Sequence, residues 1–311
     1  MCRVSVNDVI IGVDVGGTHI RLGMVDESHR LLSAVSRASE AIDDLERGPA
    51  RLISLLSEQA EQWCGDRYRL SALALGFPST ISRDRRTVLQ TPNLRGFDNI
   101  PIVSMLEREF GVPVLLEKDV VLLLAHDIQS LELDTRGTII GVYFGTGIGN
   151  AIFINGSFYA GKNGVAGELG HIPMGGAARR CGCRNIGCIE TEASGRRLAQ
   201  IVAEEFPGEH VADIFERHGE TEIIRAFVEW LAIAPAVEIN ILDPDEVVIG
   251  GGITRMSAFP QAAFRQAILT HVRRPMPFDG ISIHFSSGDE YAGILGGARL
   301  AAKMFFPGGS P

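Results

Sequence analysis

The chain has 311 residues, of which 29 are basic and 38 are acidic, so its formal net charge is −9. This acidic balance argues against a nucleic-acid partner and against a polybasic membrane patch. Hydrophobic residues make up 45% of the chain, as is usual for a globular protein. The length predicts about two domains.

The N-terminal residues contain no apolar leader segment, and we therefore expect a cytoplasmic protein. The stretch 138–161 carries no charge over 24 residues, which is long enough to span a bilayer. It also contains six glycines and two asparagines. We interpret it as two short strands, and the sequence predicts no membrane partner.

Apolar patterning predicts alternating strands and helices. The opening is a hairpin whose strands, 9–13 and 20–25, flank a tight glycine turn at 14–18. The continuous apolar run 70–77 is typical of a buried parallel strand. The other predicted elements are helices at 45–63, 103–110, 120–128 and 222–242 and strands at 112–117 and 246–249. Pro235 lies inside the last of these helices and should kink it.

The opening hairpin has a second copy in the middle of the chain. Residues 10–17 and 139–146 are identical at five of eight positions, at an offset of 129 residues. Chance similarity between apolar strands is the alternative. The shared placement of glycines favours an internal duplication into two α/β halves, with the domain boundary near 124–136.

Three glycine clusters each follow an apolar strand: Gly16-Gly17-Thr18, Gly145-Thr146-Gly147 and Gly250-Gly251-Gly252. Successive backbone N–H groups in such turns bind anions, and glycine permits close approach. Three clusters in one chain therefore indicate a polyphosphate ligand. The P-loop pattern is absent, and the dinucleotide fingerprint fails at 145–150, so neither a P-loop enzyme nor an NAD dehydrogenase is favoured.

Asp14 ends the first predicted strand, directly beside the first glycine turn. A carboxylate there could hold Mg²⁺ through water while the turn holds phosphate. The alternative is a turn-forming aspartate that is bonded to its own backbone. The neighbouring phosphate turns favour the metal.

Three of the five cysteines, Cys181, Cys183 and Cys188, lie within eight residues, and His171 lies ten residues upstream. In a cytoplasmic protein such a cluster indicates a metal before a disulfide. Three thiolates and one imidazole make a closed tetrahedral zinc site of the structural kind. The alternative is three buried or reactive thiols.

Two segments carry a resemblance to a known family. Residues 14–18 (Asp-Val-Gly-Gly-Thr) resemble the first phosphate motif of the actin-like ATPase and sugar kinase superfamily. Residues 164–171, followed by the cysteine-rich segment 181–190, resemble the signature of the ROK family (repressors, open reading frames, kinases). The likeness runs from about residue 9 to 303, and within the family it is greatest to bacterial D-allose kinases. That finer likeness depends on the segments 76–78, 91–94 and 272–275.

The resemblance implies a fold, a reaction and cofactors. The fold would be α/β, with two ribonuclease-H-like (actin-like ATPase) domains and a cleft between them. The N-terminal domain would comprise 1–124 plus 293–311, with a crossing helix at 293–304, and the second domain 125–292, with the zinc loop. The reaction would be ATP-dependent phosphorylation of a hexose, usually at the 6-hydroxyl. ATP, Mg²⁺ and a structural Zn²⁺ are the implied cofactors, at about one zinc per chain, and a homodimer is the implied assembly.

The resemblance also assigns roles to single residues. Asp119 would be the catalytic base that accepts the hydroxyl proton; from the residues alone, the alternative is a carboxylate favoured by the dipole at a helix N-terminus. Glu168, His171 and Glu190 would bind sugar hydroxyls, and His171 would also hold zinc through its other ring nitrogen. Asn93 would be a further sugar contact or a plain turn residue. The third glycine cluster, at 250–252, would bind adenosine.

Lys118 departs from the family pattern, because glucokinases of the family usually have asparagine before the catalytic aspartate. Lysine is a pure donor, so it changes the hydrogen-bond pattern offered to the sugar. We therefore expect a hexose other than glucose, with D-allose as the leading candidate. The alternatives for Lys118 are a solvent-facing side chain and a phosphate contact.

Rival functions follow from the same family. A repressor would need an N-terminal helix-turn-helix, and a first strand at about residue 9 leaves no room for one. A sugar sensor without catalysis is opposed by the presence of Asp14, Asp119 and the glycine turns. Within the kinases, glucose, N-acetylmannosamine and fructose are alternative substrates.

Overall fold

The computed structural model describes residues 7–92 and 94–307, so the predicted sugar contact Asn93 lies outside the described residues. The chain divides into two compact units. Unit 1 comprises residues 1–131, 160–165 and 289–311, and unit 2 comprises 132–159 and 166–288. Unit 1 is therefore built from three separate stretches of the chain.

The strands form two sheets of five strands and one small hairpin. In chain order they are β1 (Asn7–Val15), β2 (His19–Asp26), β3 (Leu31–Ala38), β4 (Tyr68–Phe77), β5 (Thr80–Ile81), β6 (Val88–Gln90), β7 (Val114–Lys118), β8 (Thr138–Phe144), β9 (Ile148–Ile154), β10 (Ser157–Phe158), β11 (Glu246–Gly250) and β12 (Ser282–Phe285). The predicted hairpins, the buried strand at 70–77 and the strand at 246–249 are confirmed.

Eight α-helices lie within the described ranges. They are α1 (Gly48–Trp63), α2 (Ile102–Phe110), α3 (Asp119–Ser130), α4 (Gly195–Glu205), α5 (Ile214–His218), α6 (Glu222–Leu242), α7 (Gln261–His271) and α8 (Ala292–Phe305). The bounds of α6 agree with the prediction and include Pro235, whose predicted kink stays a prediction. None of the helices that the structure describes is long and apolar enough to cross a bilayer.

Two predicted elements begin later than expected. The helix predicted from residue 45 begins at Gly48, because the Asp44 carboxylate accepts hydrogen bonds from the backbone N–H groups of Glu46 and Arg47. Leu45 lies in this turn and is 73% exposed, so it does not belong to the apolar face of the helix. The strand predicted from residue 112 begins at 114, directly after Pro113, which has no N–H for the ladder.

The two large sheets have the same strand order. The sheet of unit 1 runs β3-β2-β1-β4-β7 and that of unit 2 runs β10-β9-β8-β11-β12. In each, three antiparallel strands precede two parallel ones. The uncharged stretch 138–161 supplies β8, β9 and β10, as strands rather than a membrane helix. This shared order supports the internal duplication.

Helix α8 completes the core of unit 1. Its buried residues Ile294, Ala298 and Ala301 form one apolar cluster with residues of β1, β2, β4, β7 and α3. Glycines allow the close approach: a Cβ on Gly296 would overlap the carbonyl oxygen of Leu122 in α3. Backbone carbonyls of a packed helix cannot move aside cheaply, so position 296 requires glycine.

We expect Gly296→Ala to destabilise the protein by about 1–3 kcal/mol, because overpacking separates α3 from α8. The measurement is the urea-unfolding midpoint. The matched control is Gly65→Ala, since a Cβ at Gly65 meets nothing within 4 Å. Equal midpoints for the two variants would contradict the close packing.

Candidate active site

Two hydrogen bonds fix the backbone of the first glycine turn. Gly16 donates its N–H to the His19 carbonyl at 2.8 Å, and the Ser39 hydroxyl donates to the Gly16 carbonyl at 2.7 Å. Gly17 and Thr18 are exposed. The turn therefore has a fixed backbone whose tip is accessible to a ligand.

Asp14 and Asp119 lie close together in unit 1. Asp14 is near the end of β1, and Asp119 begins α3 directly after β7. Burial and the nearby Asp119 charge raise the pKa of Asp14 to about 6, while Arg21 opposes the shift from 3.9 Å. Asp119 Oδ1 accepts a hydrogen bond from the Val120 N–H at 2.8 Å. Two neighbouring carboxylates favour a cation between or beside them.

Sequence reasoning missed an ion pair directly before Asp119. Arg85 Nε lies 3.2 Å from Glu117 Oε2, and Arg85 Nη1 donates to the Gly164 carbonyl at 3.2 Å. Burial raises the pKa of Glu117, and Arg85 opposes that shift. Lys118 is half-buried, and its backbone N–H donates to Glu117 Oε1 at 2.9 Å. Glu117, at the end of an apolar strand, could have indicated a buried carboxylate. Its partner Arg85 could not be predicted, because it is 32 residues away in the chain.

The other two glycine clusters lie in unit 2. The Gly145 carbonyl accepts from the Gly195 N–H at 2.8 Å, and the Thr146 carbonyl accepts from the Arg196 N–H at 3.2 Å, so the turn is tied to the start of α4. Gly251 has a φ of +97°, and a Cβ there would overlap the backbone of Phe144. Only glycine fits that position.

Four predicted metal ligands converge in unit 2. The donor atoms of His171, Cys181, Cys183 and Cys188 all lie within 4.8 Å of one another. Cys181 Sγ lies 3.5 Å from His171 Nδ1, and Cys183 Sγ lies 3.5 Å from Cys188 Sγ. Donors about 2.1–2.3 Å from a tetrahedral zinc lie about 3.6–3.8 Å apart, so the donor set fits that ion.

The sequence folds this loop by short-range pairing. Isolated β-bridges join Pro173 to Cys188 and Arg180 to Ile186, which brings the ligands together. Gly187 has a φ of +80° and packs against the Ala177 carbonyl. A metal bound here would add stability to a loop that has few bridges and little apolar burial.

The predicted sugar ligands Glu168 and Glu190 of unit 2 lie on either side of His171, which belongs to the Cys/His cluster. His171 Nε2 lies 3.8 Å from Glu168 Oε2, and His171 Nδ1 lies 3.8 Å from Glu190 Oε1. Cys181 Sγ donates to Glu190 Oε1 at 3.1 Å. A Cβ on Gly147 would lie 2.7 Å from Glu190 Oε2. Glu190 thus lies between the Cys/His cluster and the second glycine turn, and His171 presents Nδ1 to Glu190 and Nε2 to Glu168.

Comparisons with known proteins extend over nearly the whole chain. The family model described as the ROK family matches residues 10–304. A glucokinase of Thermotoga maritima is 27% identical, covering 94% of this chain and 96% of its own length. An N-acetyl-D-glucosamine kinase of Vibrio parahaemolyticus is 30% identical, covering 78% of this chain and 84% of its own length.

Solved structures with the same fold include both kinases and a regulator. A ROK family glucokinase from Streptomyces griseus, in complex with glucose and AMPPNP, has a TM-score of 0.78 at 25% identity, covering 95% of this chain and 99% of that one. A ROK family transcriptional regulator, homologous to the Escherichia coli MLC protein, has a TM-score of 0.81 at 22% identity, covering 94% and 77%. The second likeness concerns the fold alone.

We expect purified protein to carry about one zinc ion per chain, because three cysteine sulfurs and one imidazole converge within 4.8 Å of one another. Elemental analysis measures the metal before and after substitution. Cys183→Ala should lose most of the zinc and unfold its loop, whereas Cys64→Ala, a free half-buried cysteine of unit 1, should retain it. Metal-free wild-type protein with an intact loop would contradict the assignment.

Proposed function

The chain belongs to the ROK family, and on that premise we propose that it transfers the γ-phosphoryl group of ATP to the 6-hydroxyl of a hexose. Its class is that of an ATP-dependent sugar kinase, as its relatives are named glucokinase and N-acetyl-D-glucosamine kinase. The observation that carries the proposal is the Asp14–Asp119 pair beside an accessible glycine turn.

Asp119 is the proposed catalytic base. Its carboxylate accepts the proton of the 6-hydroxyl as the sugar oxygen bonds to the γ-phosphorus. The bond from that phosphorus to the bridging oxygen breaks, and ADP leaves with the electron pair. The Val120 N–H donates to Asp119 Oδ1 and so holds the orientation of this carboxylate.

Backbone N–H groups of the glycine turns, around Gly16, Gly145 and Gly251, are the proposed contacts of the nucleotide. Asp14 is the proposed carboxylate for Mg²⁺, which would supply positive charge to the phosphates when bound. That same charge would offset the repulsion between Asp14 and Asp119, which otherwise raises the pKa of Asp14.

Glu168, His171 and Glu190 are the proposed hydroxyl ligands in unit 2. Carboxylates accept from sugar hydroxyls, and buried polar contacts discriminate between epimers. Lys118 supports D-allose as the substrate. Lysine can only donate hydrogen bonds, whereas the asparagine usual at this position in the family's glucokinases both donates and accepts. The names of the relatives support glucose or N-acetylglucosamine as the second candidates.

We expect Asp119→Asn to reduce kcat about 10²–10⁴-fold, because the amide cannot accept the proton. Coupled release of ADP measures turnover, and circular dichroism checks that the fold is unchanged. Asp66→Asn, at an exposed position, is the matched control and should retain wild-type turnover. A folded Asp119→Asn enzyme with near-normal kcat would rule out the proposed base.

A panel of D-allose, D-glucose, N-acetylglucosamine, N-acetylmannosamine, D-mannose and D-fructose tests the substrate. We expect allose to have the highest kcat/KM, and Lys118→Asn to move the preference toward glucose by roughly 10-fold or more. If glucose or N-acetylglucosamine leads for the wild type, the Lys118 argument is wrong and the kinase stands. Absence of ADP release with every sugar would contradict the kinase.

A further inference from the structure

A buried amide in unit 2 has an unsatisfied acceptor. Asn150, on β9, is 2% exposed. Its Nδ2 donates to the Gly141 carbonyl at 3.1 Å and to Glu238 Oε2 at 2.7 Å, which uses both of its protons. Among the described residues no donor meets Asn150 Oδ1. A buried acceptor without a donor is costly, so a missing donor is expected nearby.

Glu238 can supply that donor in its neutral form. It lies in the middle of α6 and is 5% exposed. Burial raises the pKa of Glu238 to about 8, and the hydrogen bond from Asn150 opposes this shift. The carboxyl is therefore mostly protonated at neutral pH and carries an O–H.

The elements around Glu238 offer few charges that could alter this state. The strands β8 and β9 contain no Asp, Glu, Lys, Arg or His. Helix α7, which packs along α6, carries Arg265 and His271. The helical turn Leu169–His171 also packs against α6 and carries His171.

The proposed sugar-binding loop, residues 167–171, packs against the same Asn150 amide. Gly167, with a φ of +84°, lies so close that a Cβ there would be 2.7 Å from Asn150 Oδ1 and 2.8 Å from the Asn150 carbonyl. One turn further, a Cβ on Gly170 would be 3.1 Å from the Ile148 carbonyl. The loop from Gly167 to His171 is thus seated on alternate residues of β9, and Glu168 follows the first contact directly.

We propose that the Glu238 carboxylic acid and the Asn150 amide form a cyclic hydrogen-bonded pair that positions the loop 167–171 for sugar binding. The Glu238 O–H donates to Asn150 Oδ1, and Asn150 Nδ2 donates to Glu238 Oε2. Glu238 and Asn150 are positioning residues: they act through Glu168 and His171. The inference rests on the proposed function, because the sugar role of these two ligands does.

Two variants of Glu238 distinguish the loss of its hydrogen bonds to Asn150 from a loss of buried side-chain volume. Glu238→Gln retains a cyclic pair, since its amide can donate to Asn150 Oδ1 and accept from Nδ2. Glu238→Leu keeps a similar volume and removes both bonds. We expect Glu238→Leu to raise the KM for the sugar roughly 10-fold with a much smaller change in the KM for ATP, and Glu238→Gln to restore the wild-type value at pH 7.

The pH dependence distinguishes a neutral acid from a carboxylate. Between about pH 4.5 and about pH 8 the unfolded chain releases the proton of Glu238 while the folded chain retains it, so the folded state loses stability as the pH rises through this range. We expect the unfolding temperature of Glu238→Gln to fall less over this range than that of the wild type. Above about pH 8 ionised Glu238 cannot donate, so only the wild type should show a rising sugar KM.

Hydrogen exchange of the amides of 167–171 tests the positioning without any assay of activity. We expect faster exchange in Glu238→Leu and wild-type exchange in Glu238→Gln. Glu238→Gln behaving like Glu238→Leu overturns the cyclic pair, and unchanged exchange and sugar KM in Glu238→Leu overturn the positioning role. An inactive wild type would overturn the proposed function, and the exchange comparison would then decide the seating of the loop.

Discussion

Two carboxylates at one edge of the unit 1 sheet impose the central constraint on this protein. The parallel strands β1, β4 and β7 end there, and Asp14 and Asp119 lie near enough for one charge to raise the pKa of the other. Arg21 compensates only in part, from 3.9 Å, and it is shared with Glu290 at 3.4 Å. Gly293 of α8 lies against the Asp14 side chain, where a Cβ would be 3.0 Å from its Cγ. In the proposed function, a cation bound together with the phosphates would offset the repulsion between these two acids.

Unit 2 concentrates its chemistry around one carboxylate. Glu190 is within 3.1 Å of the Cys181 sulfur and 3.8 Å of His171 Nδ1, and its other oxygen is next to Gly147. A metal bound by this cysteine and this histidine would fix the surroundings of Glu190 on one side, and the glycine turn at Gly147 lies on the other. The proposed metal would therefore contribute to the geometry around Glu190 as well as to the stability of its loop.

Local patterns in the sequence were sufficient for the hairpins, for the internal duplication and for Asp119 at the start of a helix. Each of these depends on residues that are close in the chain or on a repeated motif. The Arg85–Glu117 and Asn150–Glu238 pairs could not be predicted, because each joins residues that only the finished fold brings together. The late start of α1 escaped prediction for a different reason: the Asp44 side chain competes with the helix for the first backbone N–H groups.

The three-part composition of unit 1 has a consequence for its folding during synthesis. All of unit 2 has been made by residue 288, whereas the apolar face of β1 and β4 is covered by α3 and also by α8, the last helix of the described chain. During translation this face, with Ile10, Ala72 and Ala74, has to wait for more than 200 further residues before Ile294 reaches it. The part of this face that packs against α8 therefore has no partner helix until unit 2 has been synthesised, and the small side chains of α8 then allow close packing.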